Sequence, residues 1–469
     1  MRRRKYPTIK LSARKRPMFA GRSGFRGQAI KLPRPASAIT SSIPPGNTPL
    51  PVVTASPRSP RAQPVRRPLR WVLVMAAAFC TSAWPVDLKT GNPTRSELWG
   101  IHKAHLAEAL GAYDVPAVFP NRIDINVKEA TYRSILHYSI DEGLQEAVVR
   151  LIARYKPDYS AYVAIEPQSG RVLAMHSYNN RDPALGNLAA RASFPAASVF
   201  KIVTAAAAID QGKATADTVI PYNGKSSSLY KRQVFHHKNN KWTRRVSLRT
   251  AFAKSVNTVF GRIGVAKVGA AGLIDYAERF RFNSAADADF PAAMGQIKIE
   301  PGDDWSVVEA ASGFTRNTTL SPLHGAMIAA TVVNDGAVMQ PSLVDAATDL
   351  HGIEIYLAEA LPPKQIVTAE TAKQLKSLMR ETVKAGSARK SFRGFFKGAY
   401  AKLEVGGKTG SLTGLSPRGK NDWFVGYASD GSRSIAFAVL MVNVEKWKVK
   451  SAYVARKALE NYFQPDRKS

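Results

Sequence analysis

Alternation of apolar and polar positions begins near Arg122 and continues almost to the end of the chain. In 142–155, Leu144, Val148 and Leu151 fall on one face at helical spacing, which predicts an amphipathic helix. The same reading predicts helices over 142–155, 195–211, 247–264, 321–334, 368–385 and 450–463. Strands are predicted at 123–127, 136–140, 162–166, 171–176, 401–405, 411–412, 423–428 and 435–442.

The order of these elements predicts the fold class. Strand patterns occur at both ends of the segment 122–465, and the helical patterns lie between them. Ser429-Asp430-Gly431-Ser432 supplies a hairpin turn between the last two strands. We therefore expect one α+β domain over 122–465, with an antiparallel sheet built from both ends of the segment.

The chain has 469 residues and a formal net charge of +32. Its 45% of hydrophobic residues excludes a collagen-like, coiled-coil or wholly disordered chain. The basic charge is concentrated at the start, because residues 1–70 contain 17 Lys or Arg and no Asp or Glu. This arm, rich in Pro and Ser, is predicted to be disordered, since it lacks the apolar residues needed for a core. It contains no recognised nucleic-acid-binding module, so no nucleic-acid partner is expected.

An uncharged, apolar run occupies 71–86 and follows Arg66, Arg67 and Arg70. A basic flank, an apolar stretch and then small residues form the order of an export signal or a membrane anchor. As a helix the run reaches roughly 24 Å, short of a hydrocarbon core of roughly 30 Å, so a cleaved signal peptide and a signal-anchor both stay open. The basic flank predicts a cytoplasmic arm and an exported remainder, with 87–121 as a linker.

Ser198-Val199-Phe200-Lys201 stands at the start of the apolar helix predicted over 195–211. The spacing places the Ser198 and Lys201 side chains on one face, with Cβ atoms roughly 5–6 Å apart. A serine hydroxyl needs a nearby base to become a nucleophile, and a lysine is such a base only when its amine is neutral. Burial and a second nearby cation both lower a lysine pKa. Apolar neighbours supply the burial, and the second cation must come from elsewhere in the chain.

The pattern Ser-x-x-Lys is common, and further instances begin at Ser12, Ser228 and Ser387. Only the instance at Ser198 opens an apolar helix that would bury its lysine. Two triplets follow it in order. Ser255-Val256-Asn257 lies inside the helix predicted over 247–264, and Lys408-Thr409-Gly410 directly precedes the strand predicted at 411–412. Each triplet alone is weak, whereas the ordered set is specific.

The ordered set resembles the signature of penicillin-binding proteins and class A β-lactamases. The resemblance is to the transpeptidase domain of penicillin-binding proteins and covers about 122–463. It is reinforced by 163–175, by 321–324 through 334–336, and by Asp422-Trp423-Phe424-Val425-Gly426-Tyr427. It implies a β-lactamase/transpeptidase-like fold, an antiparallel sheet flanked by helices with an all-helical subregion.

The resemblance also implies a role for each motif residue. Ser198 would attack the carbonyl between two D-alanines of a peptidoglycan stem peptide, with Lys201 as its general base. Ser255 would relay a proton to the leaving amine, Asn257 would bind the substrate backbone and Lys201, and Lys408 would be the second cation. Substrate binding, chiefly of the terminal carboxylate, falls to Thr409, Gly410, Ser411 and Thr413. The backbone N–H groups of Ser198 and Ser411 would form the oxyanion hole.

A D,D-transpeptidase that cross-links stem peptides through a serine acyl-enzyme is the function that the resemblance favours. The alternatives are a D,D-carboxypeptidase, a β-lactamase and, outside the enzymes, a membrane-tethered penicillin sensor. The implied partners are stem peptides, β-lactam inhibitors, the membrane through 71–86 and proteins of cell-wall synthesis. No cofactor or metal is expected, and the single cysteine, Cys80, excludes a multi-cysteine zinc site. The expected location is the cytoplasmic membrane, with the catalytic domain on its periplasmic side.

Overall fold

The computed structural model describes residues 98–113, 115–359 and 361–464. The predicted basic arm, the apolar segment 71–86 and the first part of the predicted linker lie outside these ranges. Within them, no helix combines the length and the apolar composition needed to cross a bilayer. The predicted boundaries between arm, membrane segment, linker and catalytic domain therefore stay predictions.

The described part of the chain contains both strands and helices, without a regular alternation between them. The strands are β1 (Arg122–Val127), β2 (Ala130–Tyr138), β3 (Tyr159–Ile165), β4 (Val172–Asn179), β5 (Phe194–Pro195), β6 (Val219–Tyr222), β7 (Arg244–Ser247), β8 (Thr319–Leu320), β9 (Ala337–Val338), β10 (Val344–Asp349), β11 (Glu354–Leu357), β12 (Lys364–Gln365), β13 (Glu404–Leu415), β14 (Arg418–Ser429) and β15 (Ser434–Asn443). The α-helices are Lys103–Leu110, Glu142–Tyr155, Lys201–Asp210, Lys231–Phe235, Leu248–Ala253, Asn257–Ile263, Gly269–Arg279, Asp304–Ser312, Pro322–Val333, Ala369–Lys384 and Ser451–Tyr462.

A five-stranded antiparallel sheet in the order β13-β14-β15-β3-β4 forms the centre of the fold. The pairing of β15 with β3 joins strands from the two ends of the folded region. All of β3 and nearly all of β15 is buried, because both faces of the sheet are covered, and this explains their continuous apolar sequences. The predicted α+β fold, with its antiparallel sheet flanked by helices, is confirmed.

Helices cover both faces of the sheet. They are Glu142–Tyr155 and Ser451–Tyr462 on one face, and Pro322–Val333 and Ala369–Lys384 on the other. Consecutive strand residues serve opposite cores: Phe424 packs with the first pair of helices, whereas Val425 packs with the second. The sheet is thus the middle layer of a three-layer structure.

The helical subregion lies between β4 and β10 in sequence and surrounds the helix Lys201–Asp210. From Lys201 to Ile209 every residue of this helix is buried. Its alanines at 205–208 let Gly269–Arg279 and Asp304–Ser312 pack closely around it. A buried helix at this place gives its first turn a fixed position relative to the sheet.

A smaller sheet, in the order β1-β2-β10-β11, lies beside the main body. The helix Lys103–Leu110 contacts β1 and buries Leu106 and Leu110 completely. This helix falls within the predicted linker 87–121, so that part of the linker is packed into the folded unit. The burial of its leucines offsets the entropy lost on ordering the helix.

Several predicted elements are wrong in their extent. The helix predicted over 195–211 is α-helical only from Lys201 to Asp210, after β5 and a short 3₁₀ turn. The predicted helix 247–264 is divided into Leu248–Ala253 and Asn257–Ile263, because Ser255 has φ of 55° and a right-handed helix cannot continue through that conformation. The predicted strand 411–412 is part of the long strand β13, which pairs with β14 from Glu404 to Leu415. Four glycines in β13 hide its strand character, since glycine contributes no β propensity.

Candidate active site

Ser198 lies in a short 3₁₀ turn, Ala197–Phe200, that leads directly into the buried helix Lys201–Asp210. The preceding residue, Ala197, has φ of 49°, which is uncommon and costly for a residue with a side chain. Gly313 closes against this turn with φ of +62°, and a Cβ there would overlap the Ala197 carbonyl group and lie 2.9 Å from the Ser198 nitrogen. Packing therefore holds a strained turn that presents Ser198 to the cleft.

Lys201 is fully buried, and its Nζ has three oxygen neighbours. It lies 2.8 Å from Ser198 Oγ and 2.9 Å from Asn257 Oδ1, and it also donates to the backbone carbonyl of Ser312. The amide oxygen and the carbonyl can only accept hydrogen bonds, whereas the serine hydroxyl can donate one. A neutral amine has two protons and one lone pair, so its lone pair is left for the hydroxyl of Ser198.

The electrostatic surroundings favour that neutral form. Burial lowers the pKa of Lys201 well below its ordinary value, and the charge of Lys408 lowers this pKa further. Lys408 is also fully buried, and burial lowers its own pKa to about 7. Lys408 is therefore the second cation that the sequence required, and its charge titrates near neutral pH.

Ser255 lies within the break between Leu248–Ala253 and Asn257–Ile263, and Asn257 is the first residue of the second helix. The hydroxyl of Ser255 lies 3.0 Å from Lys408 Nζ. Asn257 accepts from Lys201 and donates from Nδ2 to the carbonyl of Ser227 at 3.1 Å, which fixes the orientation of its amide. The break explains how Ser255 and Asn257, two residues apart, reach two different lysines.

The strand β13 brings the last motif against the nucleophile turn. A Cβ on Gly410 would lie 3.1 Å from Val199 Cγ2 and 3.3 Å from the Val199 nitrogen, so glycine permits this close approach. Thr409 and Ser411 project from the opposite side of the strand from Lys408. Thr409 Oγ1 lies 2.6 Å from Ser387 Oγ, on the loop that follows the helix Ala369–Lys384.

These residues surround one open cleft of about 550 Å³. Its lining includes six of the predicted site residues: Ser198, Ser255, Asn257, Thr409, Gly410 and Ser411. Lys201 and Lys408 lie beneath its floor. Among the described residues, Thr413 does not line the cleft; it is an exposed strand residue whose carbonyl accepts from Arg316 at 2.8 Å. The structure thus brings every predicted site residue except Thr413 to the cleft.

Several cleft residues were not predicted from the sequence. Ser226 and Ser227 line the cleft and hold the start of Asn257–Ile263, and Ser387 contacts Thr409. Ser387 begins one of the discounted Ser-x-x-Lys instances, but that pattern gave no sign of its position. Gly313 and the Ser312 carbonyl carried no sequence signal, because their importance arises only from packing.

Two other polar features lie apart from this chemistry. A cavity of about 590 Å³ between the helix Lys103–Leu110 and the strands β1 and β2 contains no Ser–Lys pair. His324 is buried in the helix Pro322–Val333, where Nδ1 accepts from the Gly295 N–H and Nε2 contacts the Phe280 carbonyl. Within the described ranges, no group of three or more His, Cys, Asp or Glu residues is placed to hold a metal ion.

The fold and the site define a class, the serine acyltransferases that pair a Ser-x-x-Lys helix with a Lys-Thr-Gly edge strand. The sequence matches the family described as the penicillin binding protein transpeptidase domain over residues 160–460. The chain therefore belongs to the penicillin-binding protein transpeptidase family.

Two similar proteins are named as peptidoglycan D,D-transpeptidases. The peptidoglycan D,D-transpeptidase PbpA of Mycobacterium tuberculosis is 28% identical over 321 residues, which cover 62% of this chain and 63% of that protein. PbpA of Mycolicibacterium smegmatis is 30% identical over 317 residues, which cover 61% of this chain and 62% of that protein. The chain thus matches somewhat less than two thirds of the length of these relatives.

Solved structures give the same fold. The crystal structure of PBPA from Mycobacterium tuberculosis has a TM-score of 0.59 at 24% identity and covers 71% of this chain and 83% of that one. The penicillin G acyl-enzyme complex of penicillin-binding protein A from the same organism has a TM-score of 0.57 at 26% identity, with 71% and 81% covered.

Proposed function

We propose that this protein is a peptidoglycan D,D-transpeptidase that works through an acyl-enzyme on Ser198. The observation that carries the proposal is the set of partners around Lys201. Two of its three neighbours can only accept hydrogen bonds, so a neutral amine at this place turns its lone pair to the Ser198 hydroxyl. Membership of the transpeptidase family and the names of the PbpA relatives support the same activity.

In the acylation step, Lys201 accepts the Ser198 proton as Oγ attacks the carbonyl between two D-alanines. The developing oxyanion is bound by the backbone N–H groups of Ser198 and Ser411. The proton then passes through Ser255 to the nitrogen of the terminal D-alanine, and the C–N bond breaks. Lys408 attracts the terminal carboxylate with Thr409 and Ser411, and its charge keeps Lys201 neutral.

In the second step, the amine of another stem peptide attacks the ester carbonyl of the acyl-enzyme. The C–O bond to Ser198 breaks as the amide forms, and the proton lost by the amine returns through Lys201 to Oγ. β-Lactams would acylate the same serine; penicillin-binding protein A from Mycobacterium tuberculosis forms acyl-enzyme complexes with penicillin G and imipenem. No cofactor takes part in either step.

The lining of the cleft favours a slowly hydrolysed acyl-enzyme over a β-lactamase. Among the described residues, Asp422 is the carboxylate that lines the cleft, and its Oδ2 accepts from the N–H and hydroxyl of Ser451. Oδ2 of this carboxylate is engaged by the start of the helix Ser451–Tyr462 and not by Ser198 or Lys201, which favours slow attack of water on the ester. An amine acceptor is then the natural route by which the ester is resolved.

The test uses the full-length protein in detergent with a fluorescent penicillin and with a soluble stem peptide ending in D-alanyl-D-alanine. We expect a label that persists for hours, that disappears in Ser198→Ala, and a cross-linked peptide dimer as the product. Rapid loss of the label would identify a β-lactamase, and free tetrapeptide without dimer would identify a carboxypeptidase. Label without any turnover of peptide would favour a penicillin sensor.

We also propose that the segment 71–86 holds the protein in the cytoplasmic membrane with the folded domain on the periplasmic side. The support is the sequence alone, an apolar run after Arg66, Arg67 and Arg70. This location would give the site access to peptidoglycan and to other proteins of cell-wall synthesis. Protease added to spheroplasts should digest the domain and spare a tag at the N terminus; the reverse pattern would refute this orientation.

A further inference from the structure

Beyond Ser411 the active-site cleft continues into a second depression of about 370 Å³ that shares part of its wall. We call this extension the lysine groove and define it by Lys390, Lys420, Trp447, Lys448 and Lys450. All four lysines are exposed, and the side chain of Lys450 is 57% accessible. The active site therefore opens into a cationic groove on one side.

The groove is continuous with the motif strand through a chain of named contacts. Ser411 stands opposite Asp422 in the register of β13 and β14, and Thr413 stands opposite Lys420. Asp422 in turn accepts from the backbone N–H of Ser451, the residue after Lys450. Directly paired residues project from the same face of a sheet, so the groove lies on the side that Ser411 faces.

Two of the four lysines, Lys420 and Lys450, lie over the ring of Trp447, and among the described residues the groove lysines make one long contact with a carboxylate. Lys450 Nζ lies 3.3 Å and Lys420 Nζ 5.4 Å from the centroid of the Trp447 ring. Asp422 is 4.0 Å from Lys450 but is largely buried and already bound by Ser451. The nearby Glu445 is paired with Arg181 at 3.0 Å. The four lysines that line the groove therefore give it a net positive charge that attracts an anionic ligand.

The position of the groove identifies which ligand it serves. In the proposed function, Thr409 and Ser411 bind the carboxylate of the leaving D-alanine, so the groove starts on the leaving-group side of Ser198. An amine that attacks the acyl-enzyme retraces the path of the amine that left, because the two steps are chemical reverses of each other. An acceptor peptide on the leaving-group side of Ser198 would therefore lie beside the lysine groove.

We propose that the lysine groove binds free carboxylates of the acceptor stem peptide, and so selects acceptors whose carboxyl groups are not amidated. The proposal rests on the transpeptidase function above and adds the chemical class of its second substrate. The lysines hold the acceptor through charge, and Trp447 supplies the surface that fixes two of them. The side-chain partner of Ser198 is Lys201 and not a lysine of the groove.

The experiment compares two soluble acceptor peptides that share the attacking amine and differ only in whether their carboxyl groups are free or amidated. Full-length protein is acylated with a donor peptide, and the yield of each cross-linked product is measured as a function of acceptor concentration. We expect the free acid to be used about tenfold more efficiently than the amide at low salt, and this ratio to fall as salt is added.

The variant Lys390→Gln/Lys420→Gln should reduce the preference for the free acid to about twofold or less, and Lys390→Arg/Lys420→Arg should restore it. The matched control is Lys298→Gln/Lys373→Gln, which removes the same charge from exposed positions, 71% and 78% accessible, that do not line either cavity. This control should leave the preference as it is in the unaltered protein.

Acylation by a penicillin, which needs no acceptor, distinguishes the outcomes. We expect the glutamine variant to be acylated at the rate of the unaltered protein. A slowed acylation would overturn the proposal, because the lysines would then bind the donor. Equal use of both acceptors by the unaltered protein, or a preference that survives in the glutamine variant, would also overturn it. If the donor peptide were only hydrolysed and never cross-linked, the transpeptidase function would be refuted, and the acceptor groove with it. If penicillin did not acylate the protein at all, the serine mechanism would be refuted.

Discussion

Gly313 packs directly against Ala197, the strained residue that precedes the nucleophile. No Cβ fits at Gly313, because it would overlap the Ala197 carbonyl group. Ala197 keeps its φ of 49° only because the surrounding structure fixes it. The position of Ser198 thus depends on a glycine that lies more than a hundred residues further along the chain.

The first prediction follows from that packing. Gly313→Ala should displace the turn at Ser198 and slow acylation by a fluorescent penicillin by about a hundredfold, since small misplacements of a reacting group have costs of this order. The unfolding free energy should fall by about 1–3 kcal/mol through overpacking. Gly352→Ala is the matched control, because Gly352 also has a positive φ but has no neighbour within 4 Å of a Cβ. An acylation rate in Gly313→Ala equal to that of the control would contradict this account.

The second prediction concerns the pH dependence of acylation. The rate should rise with pH as Lys201 loses its proton, because only the neutral amine is a base, and should fall above pH about 7 as Lys408 loses its charge. In Lys408→Gln the repulsion that lowers the pKa of Lys201 is removed. The rising limb of the acylation rate should therefore shift to higher pH by about one unit, and the falling limb should disappear. Acylation rates between pH 5 and 9 measure both limbs, and an unmoved rising limb would show that Lys408 does not act on Lys201.

The third prediction separates the effect of a negative charge at position 257 from the effect of losing the Asn257 hydrogen bond. Asn257→Asp places a carboxylate where Oδ1 now lies, 2.9 Å from Lys201 Nζ. An anion at this distance favours the protonated amine, so the pKa of Lys201 should rise. The rising limb of the acylation rate should therefore shift to higher pH by about one to three units. Asn257→Ala should lower the rate without an upward shift of this kind. If both variants gave the same pH profile, the neutral-lysine mechanism would be falsified.

The fourth prediction concerns Ser387, a positioning residue that acts through Thr409. Ser387→Ala removes the 2.6 Å contact between the two hydroxyls. We expect acylation efficiency to fall by about three- to tenfold, the usual effect of losing one hydrogen bond, mainly through weaker binding of the β-lactam. Ser391→Ala is the control, since Ser391 lines the same cleft. A uniform loss of the maximal rate with unchanged binding would point to a different role for Ser387.

Local pattern was sufficient for elements with regular periodicity. The helix Glu142–Tyr155 has the predicted bounds, and the helices predicted over 321–334 and 368–385 are capped by their first predicted residues, Ser321 and Thr368. The motif residues were also found in sequence, because a nucleophile one turn before a buried lysine is a local arrangement. These features depend on residues within a few positions of one another.

The amino-acid sequence was enough to predict the class of fold, the candidate nucleophile Ser198 and, through the family resemblance, Lys408 as the second cation. The break of the helix at Ser255, the support that Gly313 gives to the turn at Ser198, and the effect of the Lys408 charge on Lys201 became visible only in three dimensions. The tertiary structure also placed Ser387 beside Thr409 and assembled the lysine groove from three separate segments. The physical reason is that these relationships join residues far apart in the chain, and such contacts are fixed by packing rather than by the local propensities that a sequence pattern records.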